Sequence, residues 1–315
     1  MFACSASPVN AKGGTKAGGM MRKDRLDAFG GSVLLGVTLL LAFNQVIVKL
    51  VNEGLQPVFF AGLRSALAVV FVWAWLAWKR RPPRLSRATA PTGLLMGTVF
   101  AAEFLCLFMA LDLTTVGRTS VIFYSMPVWF AIMAHFGLGE RLTPSRIAGL
   151  MLAFAGAAWA ILSGTSSGEG SLAGDLFALG GALGWAGTAY IARRPVMRAE
   201  GPEMQLFWMV LVSGPILLLA APFFGPLIRE LEPQHIAWLI FQASVVVAGG
   251  FITWLWLLSV YPAPTVASFS FLTPILAIAL GALIFGETIT WAILAAAGLV
   301  AAGIILINRP TAPRS

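Results

Sequence analysis

Long apolar runs, broken by short polar ones, set the rhythm of this chain. Each run is about twenty residues long, the length of a helix that crosses the hydrocarbon of a bilayer. Their order predicts ten transmembrane helices, near 26–50, 57–78, 91–111, 118–136, 145–163, 172–192, 203–224, 235–260, 264–285 and 290–307. Local signals sharpen several ends. Thr143 followed by Pro144 reads as an N-cap and a first helical residue. Trp73, Trp75 and Trp78, directly before Lys79, Arg80 and Arg81, read as an interfacial aromatic belt followed by cytosolic charge. Residues 1–25 are small, polar and basic, without the apolar core of a signal peptide, and are expected to be a disordered cytosolic tail; residues 308–315 form a second tail. Gly180 with Gly184, and Gly93 with Gly97, put small residues one turn apart, where helices approach closely in lipid.

The pattern is written twice. A shift of 147 positions carries Pro127 onto Pro274, Gly139 onto Gly286, Glu140 onto Glu287, Thr143 onto Thr290 and Gly156 onto Gly303 without a gap. Two five-helix units follow, 26–163 and 172–307, joined by the small polar stretch 164–171. Five is odd, so the second unit is expected to sit upside down relative to the first. That makes an inverted repeat, a scaffold for alternating access.

Composition then assigns the class. Hydrophobic residues are 58% of the chain and charged ones 11%, with a mean hydropathy of +0.86, against roughly a quarter charged in soluble domains. The expectation is an all-α polytopic membrane protein. The net charge of +8 would suit nucleic acid, but the basic residues crowd into alternate loops. With the N-terminus inside, all but Lys49, Arg64, Arg118 and Arg229 of the 21 Lys and Arg residues fall on the cytosolic side, so both termini are expected in the cytosol. Cys4 and Cys106 indicate no disulfide framework.

Ala110-Leu111, Pro127 mid-span, Gly139-Glu140-Arg141-Leu142, Gly149 and Gly156, with the echo Pro274, Gly286-Glu287 and Gly303, resemble the EamA repeat of the drug/metabolite transporter superfamily in both halves. Arg64 also falls where that family often has Arg. The resemblance implies a ten-helix secondary transporter moving small metabolites, often outward from a bacterial cytosol. In length and in its aromatic-rich spans the chain is similar to YddG-type amino-acid exporters.

Polar residues inside the spans are where transport chemistry is sought, because an ionised side chain at the centre of the bilayer costs at least about 2.5–3.5 kcal/mol. Glu103 stands mid-way along the third span, as a proton site, a partner for a substrate ammonium, or a structural acid bonded to a neighbouring helix. Asn44 and Gln45 stand well inside the first span and either line a cavity or join helices. Tyr124, Trp185, Tyr190 and Trp254 are the aromatic candidates for substrate contact, against simple packing. Pro127 and Pro274 are candidate hinges, since each removes a backbone hydrogen bond. Arg64, seven residues from Pro57, either attracts a carboxylate or snorkels outward, and snorkelling is the preferred reading. Glu140 and Glu287 are expected to serve helix ends or gates.

No P-loop, no His-Glu-x-x-His and no serine, cysteine or paired-aspartate site is placed for intramembrane catalysis, so no enzyme, cofactor or metal is expected. The reading is a bacterial inner-membrane carrier for a small-molecule substrate, amino acids foremost, working by proton antiport or facilitated diffusion and binding no nucleic acid. A nucleoside, sugar or drug-like solute, or a channel or non-transporting scaffold, are the alternatives.

Overall fold

The computed structural model describes residues 16–17, 20–21, 27–80, 83, 85–139, 143–167, 171–261 and 272–307. Nearly all of these are helical. The β structure among them is the two-residue pair β1 (Lys16–Ala17) and β2 (Met20–Met21), and a single bridge between Leu55 and Ile228. Helix α1 (Ala28–Gly54) starts where Asp27 Oδ1 accepts from Gly30 N at 2.8 Å, and α2 (Pro57–Trp78) where Gln56 Oε1 accepts from Phe59 N at 2.6 Å. Both are N-caps that satisfy donors the helix itself leaves unpaired. Helix α3 covers Ala90–Leu113. Helices α4 (Val116–Phe123) and α5 (Met126–Gly137) follow, then α6 (Pro144–Ser167), α7 (Leu172–Ala192), the short α8 (Pro195–Glu200) and α9 (Pro202–Ala220). The chain continues through α10 (Pro233–Phe241), a π-helical stretch (Gln242–Gly250), α11 (Phe251–Val260), α12 (Leu272–Phe285) and α13 (Trp291–Ile307).

Among the described residues, five helical stretches are long and apolar enough to cross a membrane: Ala28–Gly54, Pro57–Trp78, Ala90–Leu113, Val116–Gly137 and Pro202–Phe224; shorter apolar helices cover Ile147–Ser163, Leu272–Phe285 and Trp291–Leu306. Three features differ from the sequence reading. The fourth span is two helices: α4 stops at Phe123, a turn takes Tyr124 and Ser125, and α5 restarts with Pro127 as its second residue. Pro127 has no N–H to give, and its ring would crowd the carbonyl four residues back, which belongs to Phe123. Helix α6 runs on to Ser167, into the stretch taken as a linker, since Ser, Thr and Gly weaken a helix without blocking it as Pro does. The eighth span widens into π geometry for nine residues. The start of the ninth span, with Pro264, lies outside the described residues.

Close packing follows the glycines. At Gly184 on α7 an added Cβ would stand 2.8 Å from Cα and Cβ of Glu103 on α3, and Gly93 and Gly97 press likewise on Trp208 and Val212 of α9. Helices α6 and α13, which are copies of one another at the 147-residue shift, lie against each other through the matched pair. A Cβ at Gly156 would meet Ala296 O at 2.8 Å, and one at Gly303 would meet Gly149 O at 2.5 Å. In lipid such contacts replace the hydrophobic drive that is missing between helices. Gly139 and Gly286, also matched, end α5 and α12 with φ of +69° and +66°, a conformation glycine enters without strain.

The α3–α7 seam is testable. Gly184→Leu forces the two backbones apart and is expected to cost about 1–3 kcal/mol or more, read as a lower thermal midpoint of the purified protein in detergent. Gly36→Leu, at a position with nothing within 4 Å of an added Cβ, leaves the midpoint in place. Equal behaviour of the two variants removes the seam as a stabilising contact.

Candidate functional site

The close α3–α7 approach sets Glu103 into the core. It is 2% exposed, and its Oε2 accepts from Thr188 Oγ1, one turn beyond Gly184, at 3.1 Å. Glu103 is therefore held by a neighbouring helix. It is also coupled electrostatically to Arg64 on α2, which corrects the expectation that Arg64 snorkels. The residue is 2% exposed, with its guanidinium 3.9 Å from the ring centroid of Phe104 and 4.9 Å from that of Phe108. Seven residues from a helix start measure distance along the axis, not the face, and α2 turns this face to α3. Arg64 Nε has no hydrogen-bond partner.

The other candidates divide. Gln45 is buried and its Oε1 accepts from Ser120 Oγ at 2.5 Å, so it ties α1 to α4. Asn44 keeps Oδ1 unpaired while its backbone carbonyl accepts from Gln242 Nε2 at 3.3 Å. Gln242 opens the π stretch fully buried, with its own Oε1 unpaired. Sequence reasoning missed it; a π segment at a functional site is a recurring association, but nothing in Gln242-Ala243-Ser244 announces one. Tyr124 is buried in the turn between α4 and α5, its ring edge-on to Phe123. Ser125, beside it, donates to Ile122 O at 2.6 Å and accepts from Trp129 Nε1 at 3.2 Å. Pro127 is the second residue of α5, after the break at Tyr124 and Ser125, and Pro274 is the third described residue of α12.

The aromatic candidates do not gather. Trp185 packs against the large cluster that joins α1, α2, α3 and α4. Tyr190 stands near the end of α7 against Gly137 and under Arg194, and Trp254 packs with Leu34, Val37 and Tyr261 where α11 meets α1. Tyr261 donates there to Asp27 Oδ1 at 2.6 Å, joining the halves.

Among the described residues three ion pairs also join the halves, at the opposite ends of these helices. Glu287, just past α12, accepts from Val116 N at 2.8 Å and Gly117 N at 3.2 Å, and pairs with Lys49 Nζ at 2.9 Å. With Thr115 Oγ1 accepting from Arg118 N at 3.2 Å, the first three N–H groups of α4 are all satisfied, and a carboxylate sits where the helix dipole favours it. Gly281 leaves room for this: a Cβ there would lie 2.5 Å from Glu287 Oε2. Asp175, 1% exposed, takes Arg118 and Thr114. Asp112 takes Arg229 through both oxygens at 2.7 and 2.9 Å, and Arg229 Nη1 also reaches Asn52 O at 2.8 Å. That hydrogen bonding and the Asp112 charge hold the Arg229 guanidinium above its ordinary pKa against partial burial. A cavity of about 220 Å³ lies at this end, with Thr115, Arg118, Ser163, Glu287 and Thr290 in its wall. Glu287 was thus readable as a helix-end residue, its target was not; Glu140, its repeat mate, lies outside the described residues. Among the described residues no cluster of three or more His, Cys, Asp or Glu side chains forms a metal site.

The EamA-like transporter family model matches the sequence twice, over residues 28–162 and 172–309. The transporter YvbV of Bacillus subtilis, itself described as uncharacterized, is 29% identical over 259 residues, covering 80% of this chain and 82% of that one. Proteins described as probable amino-acid metabolite efflux pumps are 27% identical in Escherichia coli, over 91% of this chain and 93% of theirs, and 26% identical in Salmonella typhimurium, over 91% and 95%. A solved crystal structure, 18% identical, superposes with a TM-score of 0.62 over 87% of this chain and 95% of its own, a likeness of fold.

The Glu287 cap generates its own test. Glu287→Ala leaves two helix donors unpartnered, at about 1–3 kcal/mol for each buried group left unsatisfied, and leaves Lys49 with the Thr114 carbonyl alone; it is expected to lower the thermal midpoint well below that of Glu53→Ala, an exposed carboxylate. Gly281→Ala should act in the same direction by displacing the carboxylate. A midpoint unchanged in both Glu287→Ala and Gly281→Ala would show that the cap contributes nothing.

Proposed function

The chain belongs to the EamA-like transporter family, and from that premise we propose that it is a secondary carrier exporting small polar metabolites, amino acids foremost, across a bacterial inner membrane. The observation that carries the reading is the polar content of its core. Glu103 on α3 and Arg64 on α2 are each 2% exposed and electrostatically coupled, and elsewhere in the interior Asn44 Oδ1 and Gln242 Oε1, like Arg64 Nε and Ser65 Oγ, are buried without hydrogen-bond partners. Such groups are costly in a low-dielectric interior, and a polar solute that lends them hydrogen bonds relieves the cost. The efflux-pump descriptions of the relatives in Escherichia coli and Salmonella typhimurium support both the direction and the solute class.

Ten spans in two inverted five-helix units supply the frame for alternating access. In this reading both termini are cytosolic, and the pairs Lys49–Glu287, Arg118–Asp175 and Arg229–Asp112 close the external face. Opening outward then means parting three ion pairs between the halves. Pro127 and Pro274 interrupt the helices that move, and a variant with Ala at either position transports more slowly. Asn44, Gln45, Tyr124 and Trp185 stand nearest the core by position, whereas Tyr190 and Trp254 belong to the cytosolic approach.

Orientation is checked by single cysteines in a chain carrying Cys4→Ser and Cys106→Ser. Gln234→Cys is expected to react with an impermeant thiol reagent in intact cells, and Ser86→Cys only after the membrane is opened; the reverse pattern inverts the topology. The transport reading is checked in liposomes by saturable counterflow against a panel of amino acids, nucleosides and sugars. Glu103→Gln is expected to abolish acceleration by a pH gradient while sparing exchange at equal pH. Weaker exchange at every pH would instead make Glu103 the substrate's ammonium site, and unchanged behaviour in both assays would make it a structural acid.

A further inference from the structure

A buried arginine ordinarily has its donors spoken for. Arg64 does not. Among the described residues its side chain makes no hydrogen bond and no ion pair within 4 Å, yet the residue is 2% exposed. Its close contacts are aromatic: Cζ of the guanidinium lies 3.9 Å from the Phe104 centroid and 4.9 Å from that of Phe108. Those rings are themselves packed, Phe104 on Phe108 at 5.8 Å and Phe108 on Phe60, one turn before Arg64 on α2, at 5.0 Å. A cation over an aromatic face is stabilised by the ring, but that contact satisfies none of the guanidinium's five N–H donors as a hydrogen bond to an oxygen would. The nearest coupled anion, Glu103, gives its oxygen to Thr188 and stays beyond ion-pair distance of Arg64. The arrangement is a buried cation whose edge carries no protein hydrogen bond among the described residues.

The group that fits that edge is planar, anionic and bidentate, a carboxylate. We propose that Arg64 binds the carboxylate of the transported solute, so that the carrier selects carboxylate-bearing amino acids over their amides and amines. This rests on the amino-acid reading above and deepens it. Phe104 and Phe108 position the guanidinium. Lysine would not replace Arg64: its ammonium neither stacks as a plane nor offers two parallel donors.

The test uses the full chain in liposomes and whichever amino acid of the panel supports counterflow. In the unmodified protein the α-amide of that amino acid, matched in shape but uncharged at that end, is expected to compete about ten- to a hundredfold more weakly than the parent. Arg64→Gln is expected to lose affinity for the parent by a similar factor and to stop distinguishing it from the amide, with Arg64→Lys between. A purely structural role for Arg64, as counter-charge to Glu103, predicts that Arg64→Gln combined with Glu103→Gln recovers discrimination; the carboxylate role predicts that it does not. Should the arginine variants fail to fold, protection of Arg64 from phenylglyoxal in the unmodified protein, followed by peptide mass spectrometry, carries the same decision: the parent protects and the amide does not. Amino-acid counterflow that is indifferent to Arg64, or to the amide, overturns the assignment and leaves the carrier reading intact. Counterflow of nucleosides or sugars alone overturns both.

Discussion

A helix that begins away from water must find partners for its first N–H groups, and this fold depends on how that demand is met at α4. Hydrocarbon offers no hydrogen bonds, so every unsatisfied backbone donor costs several kcal/mol. The chain answers with a carboxylate from the other half, Glu287, aimed by the left-handed turn at Gly286 and given space by Gly281. One residue therefore does three things: it ends one helix region, starts another, and neutralises Lys49 on a third. Helix α4 is only eight residues long before its break at Tyr124, so its stability leans on this cap and on packing more than on its own length.

The core presents the opposite situation. Around Arg64 and Glu103 the helices are brought close by small residues and aromatic rings while polar atoms remain without partners. A chain selected only for stability would replace a buried opposite pair by apolar residues, often at no loss. Keeping polar groups where they destabilise the empty fold is characteristic of sites whose partner comes and goes.

Much of this was legible from residues alone. Span lengths, the 147-residue repeat and the glycine seams all rest on spacing along one helix, and spacing is what a sequence records. The left-handed glycines fall at positions the repeat matches, but the contact between α6 and α13 is a tertiary fact that the repeat alone does not give. Depth and long-range pairing are not recorded in that way. Arg64 looked placed for snorkelling because its distance from Pro57 says nothing of which neighbour α2 turns toward. Asp175, in the first turn of α7, drew no reading from the sequence and is buried against Arg118. Lys49 and Glu287 are 238 positions apart, and no local rule joins them. The π stretch that begins at Gln242 has no propensity signal of its own.

The contact between α6 and α13 is a surface meeting its own copy. Residues at matched positions, Gly156 on one side and Gly303 on the other, each press into the partner helix. That reciprocity is the mark of an isologous interface, in which one patch is its own complement. Two separate chains of five helices, each bearing this patch, would pair through it with no further invention. Covalent fusion then changes the arithmetic of assembly: the encounter becomes intramolecular, its strength ceases to depend on concentration, and the two patches become free to diverge.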